Sequence, residues 1–278
     1  MLELCSNRAM DGFPQPLPQT LQHARKARHL SQLELSLRIG VSQRHVSFVE
    51  SGRARPSREL LTRWLQELDA PLGLRNAALL QAGFAPAYRA TTLADPDLAQ
   101  ANAALQQLLR AHEPMPALVL DAQWNLLQLN RGGQWLATTL MPPEALQPAN
   151  GGAANLLDML VHPMGLTRQL LNLREAGPAF LSQMRAEAEL QPALAPKVEA
   201  FDALLRQRLN GRMPPTAHPG PQAPVLTLRF ATPFGELAFF RMFTTFGTPQ
   251  DITLASLRVE HMFAADEATH AVLLAQVR

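Results

Sequence analysis

The chain has 278 residues, 47% of them hydrophobic, and a formal charge of +2 at pH 7. That length exceeds one typical domain and that composition excludes a disordered chain, so two domains with cores of their own are expected. No apolar run reaches the roughly 18 residues a membrane span needs, and the start MLELCSNRAMDGFPQPLPQ lacks a basic-then-apolar leader, so the cytoplasm is the expected location and no membrane insertion is expected.

Residues 1–16 hold two prolines and the lone Cys5, which has no partner for an intramolecular disulfide, and read as a flexible N-terminus. The charge is unevenly spread. Residues 20–90 hold eleven Lys and Arg against five Asp and Glu, whereas residues 91–278 hold thirteen against sixteen. Basic charge gathered on one small domain is the footprint of a polyanion such as double-stranded DNA, whose counterions are released on binding.

Residues 17–84 break into short amphipathic segments, the pattern of an all-α bundle. Pro18 suits the first turn of a helix ending near Arg28, and Ser31 with Glu34 three residues on makes a capping box for a second helix that Gly40 stops. Ser42 caps a third helix closed by Gly52, Ser57 a fourth, and residues 72–82 supply a fifth. Two helices joined by a short turn around Gly40 and Val41 form a helix-turn-helix, with Val46 and Val49 expected to pack against Leu33, Leu37 and Val41. This leaves Gln43, Arg44, Ser47 and Phe48 outward, beside Ser42 and His45 at the helix start. Gln can pair with adenine and Arg with guanine, while Phe48 either touches a thymine methyl or packs on a neighbouring helix.

The run LSQLELSLRIGVSQRHVSFVESGRARPSRELLTRWLQEL resembles the lambda-repressor and Cro (XRE) type of helix-turn-helix. The resemblance implies that Gln32 contacts phosphate, that Gln43 and Arg44 read bases, and that Arg53 and Arg55 grip the backbone. It also implies a structural pair between Arg25 and Glu50. His29 stands where the family often has Gly, so a left-handed residue is expected there.

Residues 85–96 read as a linker, and 97–278 as a second domain of α+β type. An amphipathic helix over 97–112 leads to two short apolar runs around an Asp-Ala-Gln turn, a hairpin, with Asn130 capping the helix after it. Residues 154–209 are helical in period, with breaks at His162-Pro163 and around Pro192 to Pro196, and 210–223 form a proline-rich loop. VLTLRFATP, GELAFFRMFTTFG and LASLRVEHMF alternate as three strands of an antiparallel sheet, and a terminal helix begins near Asp266. Such a sheet with helices on one face can enclose a pocket, the PAS-like arrangement.

ALVLDAQWNLLQLN, NLLDMLVHPMGL and FFRMFTTFGTPQDITLASLRVEHMFAADEAT resemble the MmyB-type regulators, whose second domain is a PAS-like ligand-binding module. The resemblance implies a small apolar effector of fatty-acid type, with Asp158, Met159 and Met164 departing from residues common in the family. Candidate pocket walls are Leu118, Leu120, Trp124, Leu126, Phe180, Met184, Phe230, Phe239, Phe243 and Phe263, each also fit for ordinary core. Candidate polar anchors are His162, Arg168, Arg241 and His261, although His162 could equally end a helix and Arg241 equally be solvated. No catalytic or metal-ligating motif is present, so neither an enzyme nor a bound cofactor is expected. The whole reads as a transcriptional regulator binding DNA as a homodimer. Its second domain either senses a ligand or serves only dimerisation and protein interaction.

Overall fold

The computed structural model describes residues 16–146, 152–211 and 225–277. The segment holding Cys5, and the proline-rich loop expected over 210–223 apart from its first two residues, lie outside them. The chain divides into two compact units.

The first unit holds α1 (Leu17–Ala27), α2 (Gln32–Ile39), α3 (Gln43–Glu50), α4 (Arg58–Glu67) and α5 (Leu72–Gln81). Local chemistry sets their starts. Ser31 Oγ accepts from the Glu34 N–H while the Glu34 carboxylate accepts from the Ser31 N–H, and Ser42 and Ser57 accept from the N–H groups of His45 and Leu60. Gly40 ends α2 at φ 70°, and His29 takes the left-handed turn at φ 55°. The core gathers Leu21, Leu35, Ile39, Val46, Val49, Leu61 and Trp64. One expectation fails here: Leu33 and Leu37 are 51% and 73% exposed, and α2 instead buries Leu35, Ser36 and Ile39.

This unit runs on to Thr91, past the boundary expected at residue 84. The reason is Asn76, a buried side chain whose Oδ1 accepts from the N–H groups of Ala87 and Tyr88 at 2.9 and 3.0 Å and whose Nδ2 donates to the Tyr88 carbonyl at 2.7 Å. Half of the expected linker is therefore pinned. The unit also takes in residues 248–255, where buried Asp251 accepts from Thr91 Oγ1 at 3.0 Å.

The second unit contains α6 (Ala99–Ala111), β1 (Ala117–Leu120), β2 (Leu126–Leu129), α7 (Arg131–Leu140), α8 (Pro143–Leu146), α9 (Leu156–Val161), α10 (Leu166–Gln169), most of α11 (Leu173–Leu190), and α12 (Ala195–Arg208). β3 (Thr227–Thr232), β4 (Gly235–Thr244), α13 (Ile252–Ser256), β5 (Arg258–Ala264) and α14 (Glu267–Gln276) follow in the chain. The strands form one antiparallel sheet in the order β2-β1-β5-β4-β3. Residues 254–256, expected to open the last strand, are helical instead, because Asp251 Oδ1 accepts from the N–H groups of Thr253 and Leu254 and starts α13.

Register decides what faces what. Leu118 lies opposite Glu260, Arg241 opposite Met262, and Phe230 opposite Leu237. Alternation then puts Arg258, Glu260 and Met262 on one face of β5 and Val259, His261 and Phe263 on the other. Asn130 joins hairpin and helix: its Oδ1 caps the Gly133 N–H at 2.8 Å and accepts from the Ala117 N–H, while its Nδ2 donates to the carbonyls of Met115 and Leu109. All four hydrogen-bonding positions of its side-chain amide are used, which fits its burial. Helices are not confined to one face. His112, just past α6, packs against His261 and Phe263 on the face away from Glu260.

Candidate functional site

In the first unit, α3 is held at both ends. Its N-terminus is capped by Ser42, and Glu50 at its last turn is clamped by Arg25 through bonds of 2.7 and 2.8 Å and by Gln32 Nε2 at 2.9 Å. The Arg25–Glu50 pair implied by resemblance is thus present and buried. Gln32, at the start of α2, is half-buried and engaged with that carboxylate.

Ser42, Gln43 and Arg44 are exposed, and His45, Ser47 and Phe48 are half-buried beside them. The Arg44 guanidinium lies 5.1 Å from the Phe48 ring centre and that of Arg53 lies 6.0 Å away, so two cations lie against the ring. The N–H groups of Arg53 and Ala54 both donate to the Phe48 carbonyl, which ties the turn after α3 to the helix. Arg53 and Arg55 are exposed on that turn.

The arginines carried by the five helices and the turns between them differ in what they meet. Arg25, Arg28, Arg38 and Arg75 meet carboxylates, and Arg63 donates to the carbonyl of Ile39. Arg44, Arg53, Arg55 and Arg58 have no carboxylate partner among the described residues. Uncompensated positive charge therefore collects on α3, on the turn that follows it, and at the start of α4.

In the second unit a cleft with a cavity volume of about 120 Å³ lies between the sheet and the helices α7, α9, α10, α11 and α12. Its walls are nearly all aliphatic or aromatic. Of the candidate wall and anchor residues, Leu118, Leu126, Phe180, Phe230 and Arg241 line it, and Leu136, Leu140, Met141, Met159, Leu228 and Met262 join them. Leu120, Trp124, Met184 and Phe239 are buried in the packed core and do not line it. Phe243 flanks the guanidinium groups of Arg241 and Arg258 from outside the lining. His162 ends α9 and accepts from the Met164 N–H, and Arg168 is exposed; neither reaches the cleft.

His261 and Phe263 are also absent from the lining, because the odd-numbered positions of β5 face the other side of the sheet. There burial holds His261 below its ordinary value of 6.5, with the neighbouring His112 charge acting the same way. His112 is likewise lowered by burial, against the opposing bond to the Met262 carbonyl.

The polar part of the cleft is small. Arg241 Nη1 donates to Glu260 Oε1 at 3.2 Å, with side chains 14% and 4% exposed, and the Thr167 hydroxyl donates to the Leu160 carbonyl. Nearby, Arg258 stacks 3.7 Å from the Trp124 ring centre, and both Arg258 and Trp124 donate to Glu187. Glu260 was not among the candidates drawn from the sequence. Its signal was present, since it alternates with Met262 on β5, but aromatic residues drew the reading to the other face.

No helix among the described residues is long and apolar enough to cross a membrane. No group of three or more His, Cys, Asp or Glu among them could hold a metal ion.

Residues 101–275 match the family model for the MmyB-like transcription regulator ligand binding domain, and residues 21–74 match that for a helix-turn-helix. No curated protein matches the chain. With well over half of its length matched by that family, behind a helix-turn-helix of the expected geometry, the chain belongs to the MmyB-like transcription regulators and joins a DNA-binding unit to a ligand-binding domain.

Proposed function

We propose that this regulator reads specific bases with Gln43, Arg44 and Phe48, and grips phosphates with Gln32, Arg53 and Arg55. Ser42, His45 and Ser47 complete the contact surface. The observation that carries this reading is the set of unpaired arginines on and just after the capped helix α3, while four other arginines of the unit spend their charge on carboxylates. A helix fixed at both ends presents its donors without further ordering cost. Binding-site selection with the full chain at moderate salt tests it. Enrichment of a palindrome with half-sites about one helical turn apart is the expected result for a homodimer. Failure to enrich any sequence refutes base reading.

In the same proposal the second domain is PAS-like, works in the cytoplasm, and takes an apolar effector with a chain of fatty-acyl type. The long aliphatic lining with its single buried ion pair supports that choice. Effector binding shifts the population of DNA-competent molecules. Native mass spectrometry and solvent extraction of the purified chain are expected to recover such a molecule or to show that one added back is bound. A clean apo mass with no thermal shift from any chain-like probe refutes the effector and leaves a domain serving dimerisation alone.

A further inference from the structure

The polar corner of the cleft is built to accept a hydrogen bond rather than to receive a negative charge. Glu260 is 4% exposed, lines the cleft, and has its Oε1 bonded to Arg241. Its second oxygen, Oε2, is buried and has no hydrogen-bond partner. A buried carboxylate oxygen left unpaired is costly, and a hydrogen-bond donor relieves that cost. Arg241 is meanwhile partly engaged, with Nη1 bonded to Glu260 and its guanidinium 5.0 Å from the Phe180 ring centre and 5.7 Å from that of Phe243. The pair sums to zero charge. Thr167, the other polar lining residue, has donated its hydroxyl proton to Leu160 and offers only acceptor lone pairs.

An ionised carboxylate entering this corner brings no donor, competes with Glu260 for Arg241, and places a second negative charge beside the first in an apolar enclosure. Like charges at such a distance repel strongly in low dielectric. A hydroxyl or a primary amide does the opposite. Its oxygen can accept from a remaining N–H of Arg241 while its proton goes to Glu260 Oε2. An ammonium head would also donate, but would leave a net positive charge buried.

We propose that the effector carries an uncharged, hydrogen-bond-donating head on its apolar chain, an alcohol or primary amide rather than an ionised fatty acid, with Glu260 as the acceptor that recognises it. This rests on the reading of the cleft as the site of an apolar effector. It makes Glu260 the specificity-determining residue and Arg241 the residue that positions it.

Four probes of one chain length, used below their aggregation thresholds, separate the possibilities on the full-length wild-type chain: lauryl alcohol, lauramide, methyl laurate and laurate. Affinities are read by calorimetry at neutral pH, with native mass spectrometry counting the bound molecules. The alcohol and the amide are expected to bind at least tenfold more tightly than the ester, which accepts but cannot donate, and the ionised acid is expected to bind most weakly. Alcohol and ester binding alike would overturn the donor requirement, as when Arg258, whose Nε and Nη2 are also buried without partners, meets Glu260 internally. Laurate binding as tightly as the alcohol would overturn the head-group assignment while leaving the chain-binding cleft standing. Binding of none of the four would refute the cleft reading itself. Glu260→Gln supplies a second arm, because its amide can donate to a carboxylate and leaves Arg241 uncompensated. With circular dichroism showing the variant folded, laurate affinity is expected to rise at least tenfold, and an unchanged probe order would overturn the assignment. Should the variant not fold, the wild-type series decides alone.

Discussion

Arg44 and Arg53 lie against one aromatic ring from two different backbone settings, and the setting assigns their work. Arg44 is on the first turn of α3, which enters the major groove in the proposed binding mode, whereas Arg53 is on the turn beyond the helix, where that mode puts a backbone phosphate. Arg44→Ala is therefore expected to cost about 1 to 3 kcal/mol for the preferred operator and to relax preference at one base position. Arg53→Ala is expected to weaken all sequences alike and to reduce the slope of log affinity against log salt by about one. Fluorescence titrations of matched and scrambled operators at several salt concentrations measure both. Equal loss of specificity from the two variants would contradict the division. Phe48 couples the two residues through its ring, so the double variant is expected to be non-additive.

At the scale of elements, α2 carries the clearest lesson about what a sequence displays. Its residues Leu33, Leu35, Leu37 and Ile39 are apolar at every second position, a pattern that wraps an α-helix instead of marking one face. The caps at Ser31, Ser42 and Ser57 and the stop at Gly40 were legible because each is a bond closed within a few residues. The inward phase of α2 was not, since it depends on where α3 and α4 lie. Leu35→Ala is accordingly expected to lose about 2 to 5 kcal/mol, and Leu37→Ala to stay within about 0.5 kcal/mol of wild type. Thermal unfolding of the helical unit distinguishes them, and comparable losses would restore the inward Leu37. The cleft obeys the same logic at longer range. Phe180 and Phe230 were found as apolar walls from their types alone, but the Arg241–Glu260 pair needs the register between β4 and β5, which no local pattern states. Trp124, Phe239 and Phe263 looked like wall residues for the same reason that they make good core, so side-chain type alone could not sort one from the other.

For the whole molecule, the sheet of the second unit separates two kinds of buried charge chemistry. Toward the cleft stands the hydrogen-bonded Arg241–Glu260 pair, and on the reverse stand His112 and His261, edge to face with ring centres 4.8 Å apart. Burial lowers the affinity of both histidines for a proton from the ordinary 6.5, so the native state prefers them neutral. The unfolded chain binds protons at these positions at a pH where the folded one does not, and stability must fall as the pH falls. Their contribution is fully present above about pH 6.5 and is lost progressively below it, until the depressed native values are reached. Urea unfolding between about pH 7.5 and 5 measures this, following Trp124 and Trp135 emission in a Trp64→Phe chain so that only the second unit reports. In His112→Gln/His261→Gln the slope of stability against pH over that range is expected to flatten. Because Met262 bonds His112 through its carbonyl and lines the cleft with its side chain, effector affinity is expected to follow the same slope only if protonation loosens β5. A steep stability slope with constant effector affinity would show the two faces of the sheet to be energetically independent.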